Sequence, residues 1–375
     1  MPRRAIDSSE LIVGQPMRFN AYDARGTLLL STGQILHNDA LRDMLLQHGM
    51  FYGSEEECRG PLPPEAQGPQ PSPLARVMDA RRNLHALLSA PSPQDFPALL
   101  ANIATQVRLA CEVNPDVALA SPLLRIKGPY SSRHAVNTAI VCQITGMALE
   151  LEAAELASIV CAALTMNIGM SALHDELATH KGRLTPARQA EVHAHPELGV
   201  ARLRELGVTD NVWLDAVRDH HERNDGSGYP AGKHGDDIGQ PASLLAMADV
   251  YCARIVGRDH RSPLPPKQAL RWLFLNEHTV LDAQLARVFI KTLGIYPPGT
   301  GVRLRNGSIA IVIQRGSAGH QPVVASITTP DGLRLGSPIR RSGGAESHGI
   351  VGVADLWSLN LDVNMEALWG ADATE

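Results

Sequence analysis

The segment His220-His221-Glu222-Arg223-Asn224-Asp225-Gly226-Ser227-Gly228-Tyr229-Pro230 holds the residue types best suited to chemistry in this chain. Neutral imidazole is a common ligand for borderline divalent metals. Neighbouring residues on a helix differ by about 100° of rotation, so His220 and His221 can each reach one metal of a pair. Asp225, Gly226 and Gly228 permit a sharp turn directly after them, and Tyr229-Pro230 present an aromatic ring on a stiff base. Two adjacent histidines alone are most often ordinary core or surface residues. The shaped loop that follows turns the reading toward a metal site with a substrate lip.

The elements that must position these groups read as helices. Asp210 is a good N-cap for a helix that carries Trp213 and Val217 at helical spacing before the histidines, which puts at least one imidazole on the buried face. Asp249 falls in a helical pattern with Leu244, Leu245, Ala248 and Cys252, and a carboxylate buried there is costly unless it is paired or bound to metal. His134 and His195 occupy two further helical stretches, Ser132-Arg133-His134-Ala135-Val136-Asn137 and Ala194-His195-Pro196-Glu197-Leu198-Gly199.

Helix-period patterns dominate from Leu74 to about Leu293. Before them, residues 11–52 alternate short apolar pairs with turns at Asp23-Ala24-Arg25-Gly26 and Ser31-Thr32-Gly33, with one helical stretch from Asn38 to His48. Pro61, Pro63, Pro64, Pro69, Pro71 and Pro73 remove donors and fix φ, which marks a linker. After Pro297-Pro298-Gly299 the period changes to two. Val302 and Leu304, then Ile309, Ile311 and Ile313, flank Asn306-Gly307, where both central residues of a tight hairpin turn tolerate positive φ, and Val323, Ala325 and Ile327 lead to Pro330-Asp331-Gly332. The expected organisation is a β-rich module over 1–57, a linker over 58–75, an all-helical domain over 76–297, an antiparallel β module over 298–360 and a tail over 361–375.

Composition is that of an ordinary globular chain: 375 residues, 44% hydrophobic and 19% charged. A formal net charge of −5 without a basic stripe argues against bulk nucleic acid as partner. Five scattered cysteines with no CxxC pair read as reduced thiols. No export signal and no uninterrupted apolar stretch of spanning length is read from the sequence, so the expected location is the cytoplasm, away from membranes.

The string HHERNDGSGYP resembles, without interruption, the most specific motif of the HD-GYP family of bacterial phosphodiesterases, a branch of the HD metal-dependent phosphohydrolases. The resemblance extends across the helical stretch. His134 lies where the first metal-binding histidine of that family would be, His195 resembles its HPxxG histidine, and residues 181–185 look like its KPGKLT loop with the proline displaced. Asp249 in Met247-Ala248-Asp249-Val250-Tyr251 matches its closing aspartate. The implied fold is mainly α, an all-helical HD-type domain flanked by small β-rich modules. The implied metal ligands are His134, His195, His220, His221 and Asp249. Arg223, Asp225, Gly226, Gly228, Tyr229 and Pro230 are the implied substrate contacts, with Arg223 and Lys181 placed to neutralise developing charge.

One departure is as specific as the match. Where the family has His-Asp followed by IGK, this chain reads Met166-Asn167-Ile168-Gly169-Met170. Asn167 has the shape of an aspartate without its charge, and the Met166 thioether is a soft donor ill matched to Mn²⁺ or Fe²⁺. Met170 lacks the point charge of a lysine. His174-Asp175 is an HD dipeptide eight residues on, but in this register it occupies a surface turn.

The expectation is a degenerate site that holds at most one tightly bound divalent transition metal (Fe, Mn or Zn) on His195, His220 and His221, with His134 and Asp249 too few for a second. The resemblance implies a cyclic di-GMP phosphodiesterase-like signalling protein whose turnover is reduced or lost. The alternatives are a non-catalytic module that binds the nucleotide or docks a signalling protein through the GYP loop, and a hydrolase of another nucleotide. A homodimer is implied by analogy.

Overall fold

The computed structural model of the protein describes residues 3–13, 15, 17, 19–22, 28–30, 36, 39–48, 50–52, 70–124, 128–180, 182–256, 263–275, 283–316, 321–343, 348–356, 358–359, 361 and 363–374. The turns read at 23–26 and 31–33, most of the linker, Cys58 and Lys181 lie outside the described residues. The chain divides into two compact units, 1–71 and 72–375.

The first unit holds strands β1 (Arg3–Ala5), β2 (Ala21–Tyr22), β3 (Leu28–Leu30) and β4 (Met50–Tyr52), and helix α1 (Asp39–His48). The strands form one antiparallel sheet in the order β1-β4-β2-β3. Leu36 and Leu45 are buried with Ile6, Leu11, Met17, Phe19 and Ala21 in a separate small core.

The second unit is built on α2 (Pro73–Ser89), α3 (Phe96–Val113), α4 (Pro115–Ala120), α5 (Tyr130–Ala148), α6 (Ala153–Thr165), α7 (Ser171–Thr179), α8 (Pro186–Glu205), α9 (Asn211–Asp219), α10 (Gln240–Ile255), α11 (Pro266–Leu275) and α12 (Ala283–Leu293). Helix α2 begins inside the stretch read as linker. Ser72 caps it by accepting from the Ala75 N–H at 3.0 Å, and Pro73 sits in the first turn, where a missing N–H costs nothing. Helix α5 is buried around nearly its whole circumference, from His134 to Gly146, which makes it the central rod of the unit.

Ala153–Met170 is long and apolar enough to cross a membrane by length and composition, although Glu155, Ser158 and Asn167 interrupt it. Its helix, α6, ends at Thr165, and Leu156, Ile159, Val160, Cys161, Ala163 and Leu164 pack within the helical core.

The chain then enters β5 (Gly301–Leu304), β6 (Ile309–Gln314), β7 (Val323–Thr328), β8 (Arg334–Ser342) and β9 (Ile350–Val353), an antiparallel sheet in the order β8-β7-β6-β5-β9. The hairpins differ from the two-residue turn expected at Asn306-Gly307. The Gly307 N–H bonds Leu304 O at 2.9 Å and the Leu304 N–H bonds Ser308 O at 2.9 Å, so the loop has three residues and only its last, Gly307 at φ 91°, is left-handed. Pro330-Asp331-Gly332 repeats this geometry, with Gly332 at φ 90°.

Residues 361–375, read as a tail, contain α13 (Met365–Trp369), whose Leu368 and Trp369 join Leu74, Val117 and Ala120 of the helices and Ile311, Ile313 and Ala325 of the sheet in one core. The sheet and the helices therefore share a core, and the sheet is no independent module.

Candidate metal centre and GYP-type loop

The site assembles where α8, α9 and α10 meet α5. Pro196 inside α8 has no N–H, so the Val192 carbonyl four residues back loses its helical partner, and His195 Nδ1 takes that carbonyl at 2.5 Å. At the end of α9 the last carbonyls are unpaired by geometry, and His220 Nδ1 takes Val217 O at 2.7 Å. Each bond requires a proton on Nδ1, which leaves the Nε2 of each ring as a lone pair. The two Nε2 atoms face each other at 3.3 Å. Two lone pairs at that separation repel unless a proton or cation stands between them. Candidate ligand atoms of His195, His220 and His221 all lie within 4.8 Å of one another, and these residues fit a borderline divalent metal.

Electrostatics point the same way. Burial drives the His195 imidazole down to about 3, with the His220 ring adding to the shift. Burial also lowers His220 and His221. All three are therefore neutral near neutral pH.

His134 and Asp249 do not belong to that cluster but to each other: His134 Nε2 meets Asp249 Oδ1 at 2.6 Å. Burial alone would raise the Asp249 carboxyl, but the His134 hydrogen bond and the neighbouring imidazoles outweigh it and hold it below the ordinary carboxylate range. His134 is stacked on Tyr130 at 5.5 Å and met edge-on by His174 at 5.5 Å. His174-Asp175 is thus not a surface turn. It lies in α7, with His174 buried and Asp175 accepting from the Ser131 N–H at 2.7 Å and Ser131 Oγ at 2.8 Å, a cap on the start of α5.

Met166 is fully buried and packs within the apolar core, while Asn167 is half-buried at the turn that follows α6. Gly169 carries this turn against α8: a Cβ there would fall 2.3 Å from His195 O and 2.6 Å from Gly199 N. Met170 ends the turn half-buried.

The loop after α9 is held from within. Glu222, which sequence reasoning passed over, is buried and accepts from the Ala231 N–H at 2.6 Å and the Lys233 N–H at 2.9 Å. Lys233 Nζ reaches back to Asp219 at 2.7 Å. Asp225 is exposed and accepts from the Ser227 N–H at 2.9 Å and Ser227 Oγ at 2.6 Å, so its carboxylate shapes the turn. Gly226, at φ 76°, leaves room for the His234 ring, and Gly228 lies against Arg223 N and His221 O, where a Cβ has no space. Arg223 is exposed. The peptide Tyr229-Pro230 is cis. Tyr229 lies between His221, at 4.7 Å, and His193, at 4.3 Å, both stacked on it. His193 was also missed; its spacing of two residues before His195 was the available signal.

The HD domain family matches residues 118–285. Over these residues the chain is similar to HD domains. Among curated relatives, the cyclic di-GMP phosphodiesterase PA4108 of Pseudomonas aeruginosa is 30% identical over 203 residues, 54% of this chain and 49% of that protein. The 3'3'-cGAMP-specific phosphodiesterase 3 of Vibrio cholerae is 28% identical over 171 residues, 46% of this chain and 37% of that protein. The chain therefore spans about half or less of the length of these relatives. A solved structure, Bd1817, a HDG"Y"P protein from Bdellovibrio bacteriovorus, aligns with 77% of this chain and 98% of its own at 16% identity, with a TM-score of 0.39.

Proposed function

We propose that this chain is a cytoplasmic HD-GYP-type signalling protein that recognises a cyclic dinucleotide, cyclic di-GMP or a relative such as cGAMP, and hydrolyses it slowly or not at all. The nucleotide class is carried over from relatives named as cyclic di-GMP and 3'3'-cGAMP phosphodiesterases. The observation that carries the loss of turnover is the state of the second half-site. Met166 is sealed in the apolar core and Asn167 brings no charge, so neither adds a charged donor to the His134–Asp249 pair.

His195, His220 and His221 would hold one divalent ion, of Fe, Mn or Zn. When bound, such an ion supplies Lewis acidity to a phosphodiester. The remaining roles fall to the protein. Tyr229 has its faces covered by His221 and His193, so it would meet a nucleotide with its ring edge and hydroxyl, and Arg223, exposed and donating only weakly to Ser227 Oγ at 3.5 Å, would face phosphate oxygens. Recognition survives more readily than turnover because the loop is complete while the dyad is not.

The test is chromatography for linear pGpG and GMP after incubation of cyclic di-GMP with anaerobically prepared, Mn²⁺- or Fe²⁺-loaded protein, beside a Met166→His, Asn167→Asp variant. The expected result is no product from the unmodified chain and product from the double variant. Turnover by the unmodified chain would overturn the proposal. A cyclic dinucleotide that raises the melting temperature without being consumed supports the recognition half.

A further inference from the structure

Three aromatic rings lie face to face from the histidine cluster outward. His221, one of the three clustered imidazoles, stacks on Tyr229 with ring centres 4.7 Å apart and planes inclined by 27°. Tyr229 stacks in turn on His193, at 4.3 Å and 13°. His195 meets Tyr229 at a steep 76° with centres 6.4 Å apart, so α8 touches this one ring with two of its histidines. The tyrosine is also fixed through its backbone, since its N–H bonds His221 O at 3.2 Å. Exposure rises along the column: His221 and Tyr229 are half-buried, and His193 is exposed. Both faces of Tyr229 and one face of His193 are covered within the column, so what His193 offers to solvent is its other face and its edges.

We propose, resting on the reading that the chain recognises a cyclic dinucleotide, that His193 is the residue on which a purine base of that ligand stacks, and that it thereby selects purines over pyrimidines. A flat aromatic face in water gains by being covered with another ring, and a purine covers more of it than a pyrimidine. Tyr229 does not serve this purpose, because a base could reach either of its faces only by displacing a ring already there. The charge nearby suits the rest of the ligand. Burial pushes the Tyr229 hydroxyl up, and the Arg223 guanidinium lies near enough to oppose part of that rise. Arg223 is exposed and bonds only weakly to Ser227 Oγ, at 3.5 Å. It is placed to face a phosphate while the base lies over His193, and the inner end of the column keeps the same ligand beside the histidine cluster. The dinucleotides of that reading, cyclic di-GMP and cGAMP, carry purine bases alone.

The test is equilibrium dialysis of the full, metal-loaded chain against cyclic di-GMP and against cyclic di-UMP, its pyrimidine counterpart. The nucleotide is checked by chromatography, and metal content is measured for each preparation. The parent is expected to bind cyclic di-GMP several-fold tighter than cyclic di-UMP. His193→Ala is expected to weaken cyclic di-GMP by about 5- to 150-fold, the worth of one base stacked on an aromatic ring, and cyclic di-UMP by less, so that the preference shrinks. His193→Phe keeps a ring face without the imidazole nitrogens and is expected to retain both affinity and preference. A parent without purine preference, or equal losses of the two dinucleotides in His193→Ala, would overturn the assignment, the second because the ring then only props Tyr229. A His193→Phe variant as weak as His193→Ala would do the same, since the contact would then be made by nitrogen. A parent that binds neither dinucleotide defeats the recognition reading itself and this inference with it, whereas binding that is equally tight in the parent and His193→Ala defeats this inference alone.

Discussion

At the scale of residues, the site depends on which nitrogen of each histidine carries its proton. His195 and His220 are both fixed by backbone carbonyls, one released by Pro196 and the other left over at the end of a helix. His220→Ala should therefore lower metal affinity at least about 100-fold, more than loss of an outer-shell partner costs, as read by competition with a chromophoric chelator. The same burial predicts the response of the metal-free protein to acid. Below about pH 6.5 the unfolded chain protonates these imidazoles, while folded His195 stays neutral down to about 3. The unfolded state then binds more protons, so stability falls as pH drops through that window, by up to about 1.4 kcal/mol per pH unit for each such imidazole. Urea midpoints measured after chelation at about pH 7.5 and about pH 5.5 should show the drop. His195→Gln should show a smaller one, and equal dependence in the two proteins would refute the assignment.

At the scale of elements, close approach and internal staples place the ligands. Gly169 lets the turn after α6 touch α8 beside the His195 carbonyl, at a distance no side chain tolerates. Gly169→Ala is expected to cost about 1–3 kcal/mol and to weaken metal binding together with stability, seen in urea unfolding and in the same chelator competition. Glu222 staples the loop through two N–H groups, which only a carboxylate can accept with both oxygens. Glu222→Gln turns an amide NH₂ toward one of these donors, and about 1–3 kcal/mol of stability should be lost. Hydrogen exchange at Ala231 and Lys233 should then accelerate ahead of the helical core; unchanged protection would mean the staple contributes little.

At the scale of the whole molecule, the C-terminal sheet and α13 are part of the unit that carries the site. Trp369 packs in the core shared by helices and sheet, and its indole N–H donates to Ile313 O at 2.9 Å. Asn114 reaches Asp372 at 2.8 Å, and Arg315, just past β6, reaches Asp116 at 2.6 Å. Trp369→Ala should thus destabilise the unit by about 3–5 kcal/mol, with one cooperative transition shifted and no early melting of the sheet alone, measured by calorimetry.

What the sequence by itself determined was set by short-range chemistry. The helix cap at Asp210, the helical run from Leu74 to Leu293, the period-two strands around Asn306-Gly307 and the uninterrupted HHERNDGSGYP string all lie within a few residues of their own causes. That Met166-Asn167 stand where the resembled family has His-Asp was also read from the sequence, because the stretch downstream keeps that family's spacing. Tertiary structure alone decided the rest. His174-Asp175 reads as a surface turn in one dimension, yet Asp175 caps a helix 44 residues away and His174 closes against His134. The tail became core because Trp369 finds Ile313 and the helices across the fold. The column that ends at His193 is likewise a product of packing, since His193 comes from α8 and Tyr229 from the loop after α9, and rings stack by distance in space whatever their distance in sequence.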